Sequence, residues 1–125
     1  MSDHPTIAEV YRMQYRVVEL FGGLHGVRDK GAVEAVVFRP QTGSYNSREE
    51  EAAALMESLG NSHGFLDGNQ RIAFSATDVF LRRTGFYIEI DGLDGYAFLY
   101  GSMDRDEFRF ARILDWVHQH IKPLV

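Results

Sequence analysis

One stretch of this chain gathers the side chains that phosphate chemistry needs: HGFLDGNQRIAFS, residues 63–75. His63 is an imidazole, a side chain that can take a proton from a hydroxyl nucleophile. Asp67 is a carboxylate of the kind that holds Mg²⁺ beside phosphates. Asn69 and Gln70 are hydrogen-bond donors, and Arg71 carries a fixed positive charge. Moving a phosphoryl or nucleotidyl group requires mainly positioning, charge neutralisation and an oriented nucleophile, and these residues could supply each. General rules alone leave a plainer alternative open, a capped helix preceded by a surface histidine.

The elements around the stretch must hold it in place. Gly64 and Gly68 interrupt any helix before Asp67, so residues 63–68 are expected to form a loop. A helix should follow, because Ile72, Ser75, Ala76, Val79, Phe80 and Arg83 recur at three- and four-residue spacing. Asp67 would sit at its N-cap or just before it. The N–H groups of Gly68, Asn69, Gln70 and Arg71 would then point out of the helix end, where the dipole favours an anion. Arg71 in the first turn opposes that dipole, which makes sense if a negative ligand lies between them.

The other elements are read from caps and breakers. Thr6 with Glu9 makes a capping-box pattern that opens a helix to about residue 21, with Ile7, Val10, Tyr11, Tyr15, Val18 and Phe21 inward and Gly22-Gly23 as its stop. After a loop, Asp29 caps a second helix through Val36 and Val37 that ends before Arg39-Pro40. Residues 40–47, PQTGSYNS, form a polar connector. A third helix is expected from about Glu49 to Asn61, with Ala52, Ala53, Ala54, Leu55, Met56 and Leu59 as its packing face and an acidic run suited to its N-terminal end. Thr84-Gly85 ends the motif helix. FYIEIDG, residues 86–92, alternates briefly enough for an extended piece or short strand on a helical body. A helical turn or two is expected over residues 93–101, then a last helix from about Asp104 to His120. Its inner side would carry Phe108, Ala111, Ile113, Leu114, Val117 and Ile121, and Pro123 would close it. His118 and His120 do not share a helix face, which argues against a shared metal.

Composition sets bounds. With 125 residues, 45% hydrophobic and 13% aromatic, the chain is expected to be a single domain, residues 1–125, with its own core. It has no cysteine, which excludes a disulfide framework and suits the cytosol. No apolar run approaches a membrane span and the N-terminus lacks a signal-peptide pattern, so a cytoplasmic protein is expected. A net charge of −5 argues against direct nucleic-acid binding.

HGFLDGNQR resembles the loop of the Fic/Doc superfamily, whose Fic branch reads H-P-F-x-(D/E)-G-N-G-R-x-x-R and whose Doc branch, named for death on curing, reads H-x-F-x-D-(G/A)-N-K-R-T. His63, Phe65, Asp67, Gly68, Asn69 and Arg71 fall in register. Upstream, GGLHGVRDKGAVEAVVFRPQ, residues 22–41, is similar to the segment G-G-x-x-G-(V/I)-R-D-x-G-x-L-E-x-A-x-x-R-P-Q of Doc-like chains. The resemblance implies an all-α fold, a compact bundle of about six helices with a short extended flap over the site, the flap falling by position on residues 40–47.

It also implies roles. His63 would orient or deprotonate a target hydroxyl, Asp67 would hold Mg²⁺, Gly68 and Asn69 would form the anion-binding turn with Gln70 beside it, Arg71 would neutralise phosphate charge, and Phe65 would peg the loop. ATP and Mg²⁺ are the implied cofactors. Phe74 stands where Fic-type AMP transferases carry a second arginine, as in Doc, so the resemblance implies a toxin kinase that phosphorylates a translation factor such as elongation factor Tu on a threonine. AMP transfer and a catalytically weak binding protein are the alternatives. Gln70 departs from the Doc lysine and removes a full charge beside the phosphates. An inhibitory (S/T)-x-x-x-E-(G/N) pattern is incomplete, because Ala52 follows Ser47 and Glu51, so an antitoxin partner would supply inhibition.

Overall fold

The computed structural model describes residues 3–89 and 108–125. It is mostly helical: α1 is Ile7–Phe21, α2 Lys30–Phe38, α3 Arg48–Gly60, α4 Asn69–Arg83 and α5 Phe110–His120. A 3-10 turn, Arg39–Gln41, leads out of α2, and two short strands, β1 (Phe86–Ile88) and β2 (Ile121–Pro123), pair antiparallel. The all-α bundle expected for a Fic/Doc-like chain is thus found.

Local chemistry sets most of the boundaries. The Thr6 hydroxyl accepts from the Glu9 N–H at 3.1 Å while the Glu9 carboxylate accepts from the Thr6 N–H at 2.9 Å, closing the capping box of α1. Gly22, at φ 88°, stops that helix. Asp29 caps α2 through the Ala32 N–H at 3.1 Å. The Ser47 hydroxyl caps α3, which begins at Arg48 and ends at Gly60 with Asn61 as its C-cap.

The core is centred on α3, against which α4, α5 and α2 pack. Ala52, Ala53, Ala54, Leu55, Met56 and Leu59 are all buried, and so are Ser58 and Gly60 on the remaining side, so α3 is enclosed rather than one-faced. Alanines at three successive positions let its neighbours approach closely. Ile72, Ala73, Ala76, Phe80 and Leu81 of α4 and Ile113, Trp116 and Val117 of α5 complete the cluster.

Three expectations are corrected. On α1, Tyr15 and Phe21 are 57% and 59% exposed, while Gln14 and Val17 are buried in their place. The helical spacing was right, but the inward stripe is rotated by one position. The last helix starts at Phe110, not Asp104: Phe108 and Arg109 precede it, Arg109 in extended backbone (φ −127°, ψ 159°), and the Glu57 carboxylate caps it from α3 by accepting the Phe110 N–H at 2.6 Å. Ala111 is exposed on that helix, whereas Trp116 is buried. Finally, β1 does have a partner. The chain leaves α5 at Ile121 in extended form, and Phe86, Tyr87 and Ile88 pair with Pro123, Lys122 and Ile121. The expected helical turns over residues 93–101 lie outside the described residues.

The connector of residues 40–47 is tied back to the bundle by Arg39. Its guanidinium donates to the Tyr45 hydroxyl at 3.1 Å and to Ser58 Oγ at 2.8 Å, and pairs with Glu57 at 2.8 Å. Burial works against the Arg39 charge, yet the hydrogen bonds to Glu57 and Tyr45 outweigh it and hold the group more firmly protonated.

Candidate functional site

The loop before α4 is built by contacts distant in sequence. Phe65 pairs with Val27 in an isolated antiparallel bridge, the Leu66 N–H donates to the Gly26 carbonyl at 3.1 Å, and the Arg28 and Asp29 N–H groups both donate to the Gly64 carbonyl, at 2.7 and 3.0 Å. Gly64 is pressed against α2: a Cβ there would meet Val33 Cγ2 at 2.6 Å. Phe65, 2% exposed, drops into the core edge-on to the Tyr11 ring, with centroids 5.8 Å apart.

Gly68 is the N-cap of α4. It sits at φ 87°, a left-handed conformation that glycine tolerates, and makes no side-chain cap. A Cβ there would also lie 3.0 Å from Val17 Cγ1. Asp67 is therefore one place before the N-cap, and among the described residues no side chain accepts from the first N–H groups of α4, those of Asn69, Gln70 and Arg71. The side chain of Asn69 turns back to the loop, accepting from the Phe65 N–H at 3.3 Å and donating to the Phe65 carbonyl at 3.2 Å. It braces the loop, and only its backbone N–H remains for a ligand at the helix end.

The charged members surround this mouth. One Asp67 oxygen, Oδ2, accepts the Leu24 N–H at 2.7 Å, and among the described residues Oδ1 accepts no hydrogen bond. Gly23, at φ 108°, packs so closely on Asp67 that a Cβ would lie 2.9 Å from the Asp67 Cβ. The Arg71 guanidinium lies over the half-exposed Phe21 ring at 3.7 Å, which orients it without neutralising it. His63 is exposed, and neither it nor the Gln70 side chain makes a hydrogen bond among the described residues. Phe74 packs edge-on to Trp116, with centroids 6.2 Å apart, so this position brings an apolar ring where a second arginine would bring charge.

Sequence reasoning missed Gln14. This α1 residue is 4% exposed and reaches Leu24, Gly26 and Asp67 together. A glutamine in an apolar helical stripe is the one signal that could have drawn attention to it, since a buried amide must be hydrogen-bonded.

The residues present fit a metal-bound phosphate. An uncapped helix end with a glycine at its entrance offers N–H donors, Arg71 offers charge, and Asp67 offers one carboxylate oxygen. Among the described residues no group of three or more His, Asp or Glu could cage a metal ion. A single carboxylate nevertheless suits Mg²⁺, which takes most of its ligands from waters and phosphates.

A family model described as the Fic/DOC family matches residues 4–81, well over half of the chain. The chain belongs to that family, and its relatives lie on the Doc side. It is 40% identical over 76 residues to a protein named Toxin Doc from Mycolicibacterium smegmatis, a match covering 57% of this chain and 58% of that one. It is also 28% identical over 89 residues to Protein kinase doc of Escherichia phage P1, covering 68% of this chain and 71% of the relative. No helix among the described residues is long and apolar enough to cross a membrane.

Proposed function

We propose that this chain is a Doc-type toxin transferase that phosphorylates a hydroxyl of a protein substrate using ATP and Mg²⁺, with a translation factor such as elongation factor Tu as the target and an antitoxin as its inhibitor. The observation that carries the reading is the mouth of α4: a left-handed Gly68, three N–H groups with no side-chain cap among the described residues, and Asp67 and Arg71 on either side of it in sequence. The names of the two relatives, a toxin and a protein kinase, support it.

When bound, ATP supplies the phosphoryl group and Mg²⁺ offsets its charge. The N–H groups at the start of α4 hold phosphate oxygens, and Arg71 adds a full charge against them. Asp67 binds the cation through the oxygen that Leu24 does not occupy. His63, exposed before the loop, orients the incoming hydroxyl and accepts its proton. The side chains of Phe65 and Asn69 hold the loop rigid and touch no substrate. Phe74 favours phosphoryl over AMP transfer, because its ring against Trp116 provides none of the charge that a second arginine would.

Incubating the purified chain with candidate target proteins and ATP labelled at either the α- or the γ-phosphate tests the reading. Transfer of the γ-label is expected. Transfer of the α-label would convert the reading to AMP transfer, and no transfer of either would leave a binding protein that keeps the loop for its fold. His63→Ala should lower transfer by roughly 10²- to 10⁴-fold. Gln70→Lys restores a charge beside the phosphates and should lower the KM for ATP.

A further inference from the structure

Gln14 and Asp67 belong to one closed hydrogen-bond circuit. From the buried face of α1, Gln14 Nε2 donates to the Leu24 carbonyl at 3.0 Å and to the Asp67 carbonyl at 3.3 Å, and its Oε1 accepts the Gly26 N–H at 3.2 Å. The Leu24 N–H in turn donates to Asp67 Oδ2 at 2.7 Å. One amide thus fixes the turn after α1 from both sides, and that turn fixes the carboxylate. The chemistry is demanding: the side chain must donate twice and accept once within a site 4% exposed. A primary amide on two methylenes can do so. A carboxylate could only accept, and a thioether offers no donor at all.

We propose that Gln14 is the positioning residue of the site, holding Leu24 by its carbonyl so that the Leu24 N–H engages one Asp67 oxygen and the other is presented to a cation. The inference rests on the reading of Asp67 as the cation-binding carboxylate. It assigns a role to a residue outside the motif loop, on an element that contributes no other polar group to this circuit. Gly23 and Gly26 follow from it. Both hold positive φ, at 108° and 123°, in the turn that brings the Leu24 N–H to Asp67 and the Gly26 N–H to Gln14.

Gln14→Met keeps the length and removes the hydrogen bonds, and Gln41→Met, on the turn after α2, serves as control. Amide hydrogen exchange at Leu24 and Gly26, with Leu55 as a core reference, is measured beside Mg²⁺–ATP binding by calorimetry. In Gln14→Met, exchange at Leu24 and Gly26 should accelerate about tenfold or more while Leu55 is unchanged. The Mg²⁺–ATP dissociation constant should rise about tenfold, with no change in Gln41→Met. If the methionine variant does not fold, Gln14→Glu, which can accept from Gly26 but donate to neither carbonyl, should likewise speed exchange at Leu24 and weaken Mg²⁺–ATP binding, while Gly26 keeps its protection. Unchanged exchange at Leu24 overturns the proposal, and so does faster exchange with wild-type nucleotide affinity, which would leave Gln14 merely structural. If the wild-type chain binds no Mg²⁺–ATP, the proposed function falls, while the Leu24 exchange rate still decides whether Gln14 holds the turn.

Discussion

Gly68 carries two constraints at once, a φ of 87° and a neighbour, Val17 Cγ1, that a Cβ would approach to 3.0 Å. Gly68→Ala should therefore cost about 1–2 kcal/mol, read from a denaturant midpoint at constant m, and should weaken phosphate binding by tilting the first turn of α4. Phe65→Ala, at a side chain 2% exposed, should cost about 3–5 kcal/mol by chemical denaturation. At this scale the motif was legible because glycines, a histidine and charges at fixed offsets announce themselves in one dimension. What each side chain does was less so. Asn69 is spent on the Phe65 backbone and Arg71 rests on Phe21, and both follow from where α1 and the loop pass in space, which no local pattern encodes.

Elements joined by charge add a pH dependence. The Arg83 guanidinium bonds the Glu9 carboxylate with both its terminal nitrogens, joining the end of α4 to the start of α1. That bond, with the Thr6 N–H, lowers the Glu9 pKa from 4.5 to about 2. A depressed folded-state pKa gives stability that is present above the unfolded value and lost as pH falls from 4.5 towards 2. The pair is partly exposed, so its worth is about 0.5–1 kcal/mol. Arg83→Ala should lower the unfolding free energy at neutral pH by that much and flatten its fall over this acidic window, as calorimetry at a series of pH values would show. Helices themselves were well marked by Thr6, Gly22 and Asp29. The start of α5 was not, because its cap comes from Glu57 on another helix.

For the whole molecule, the tail after α5 closes the fold: Ile121–Pro123 pairs with β1, and the Leu124 N–H donates to the Gly85 carbonyl at 3.0 Å. A chain stopped after His120 should lose amide protection first at Tyr87, which faces Lys122 of the missing strand, measured by hydrogen exchange, with the core of α3 still protected. The sequence signalled the segment at 86–92 but not its mate, since IKP is too short and too mixed to declare itself a strand. The helical class was readable from periodicity, whereas the enclosure of α3 required knowing which neighbours surround it.

The mouth of α4 is held by hydrogen bonds from Gln14 and Leu24 to Asp67 across 53 and 43 positions of chain. Its geometry is thus a property of the finished tertiary structure and of no local fragment. A synthetic peptide bearing residues 63–75 would spell out the whole signature and yet lack the site. For the same reason, a nascent chain cannot assemble this site until its N-terminal helix has met the loop that arrives fifty residues later.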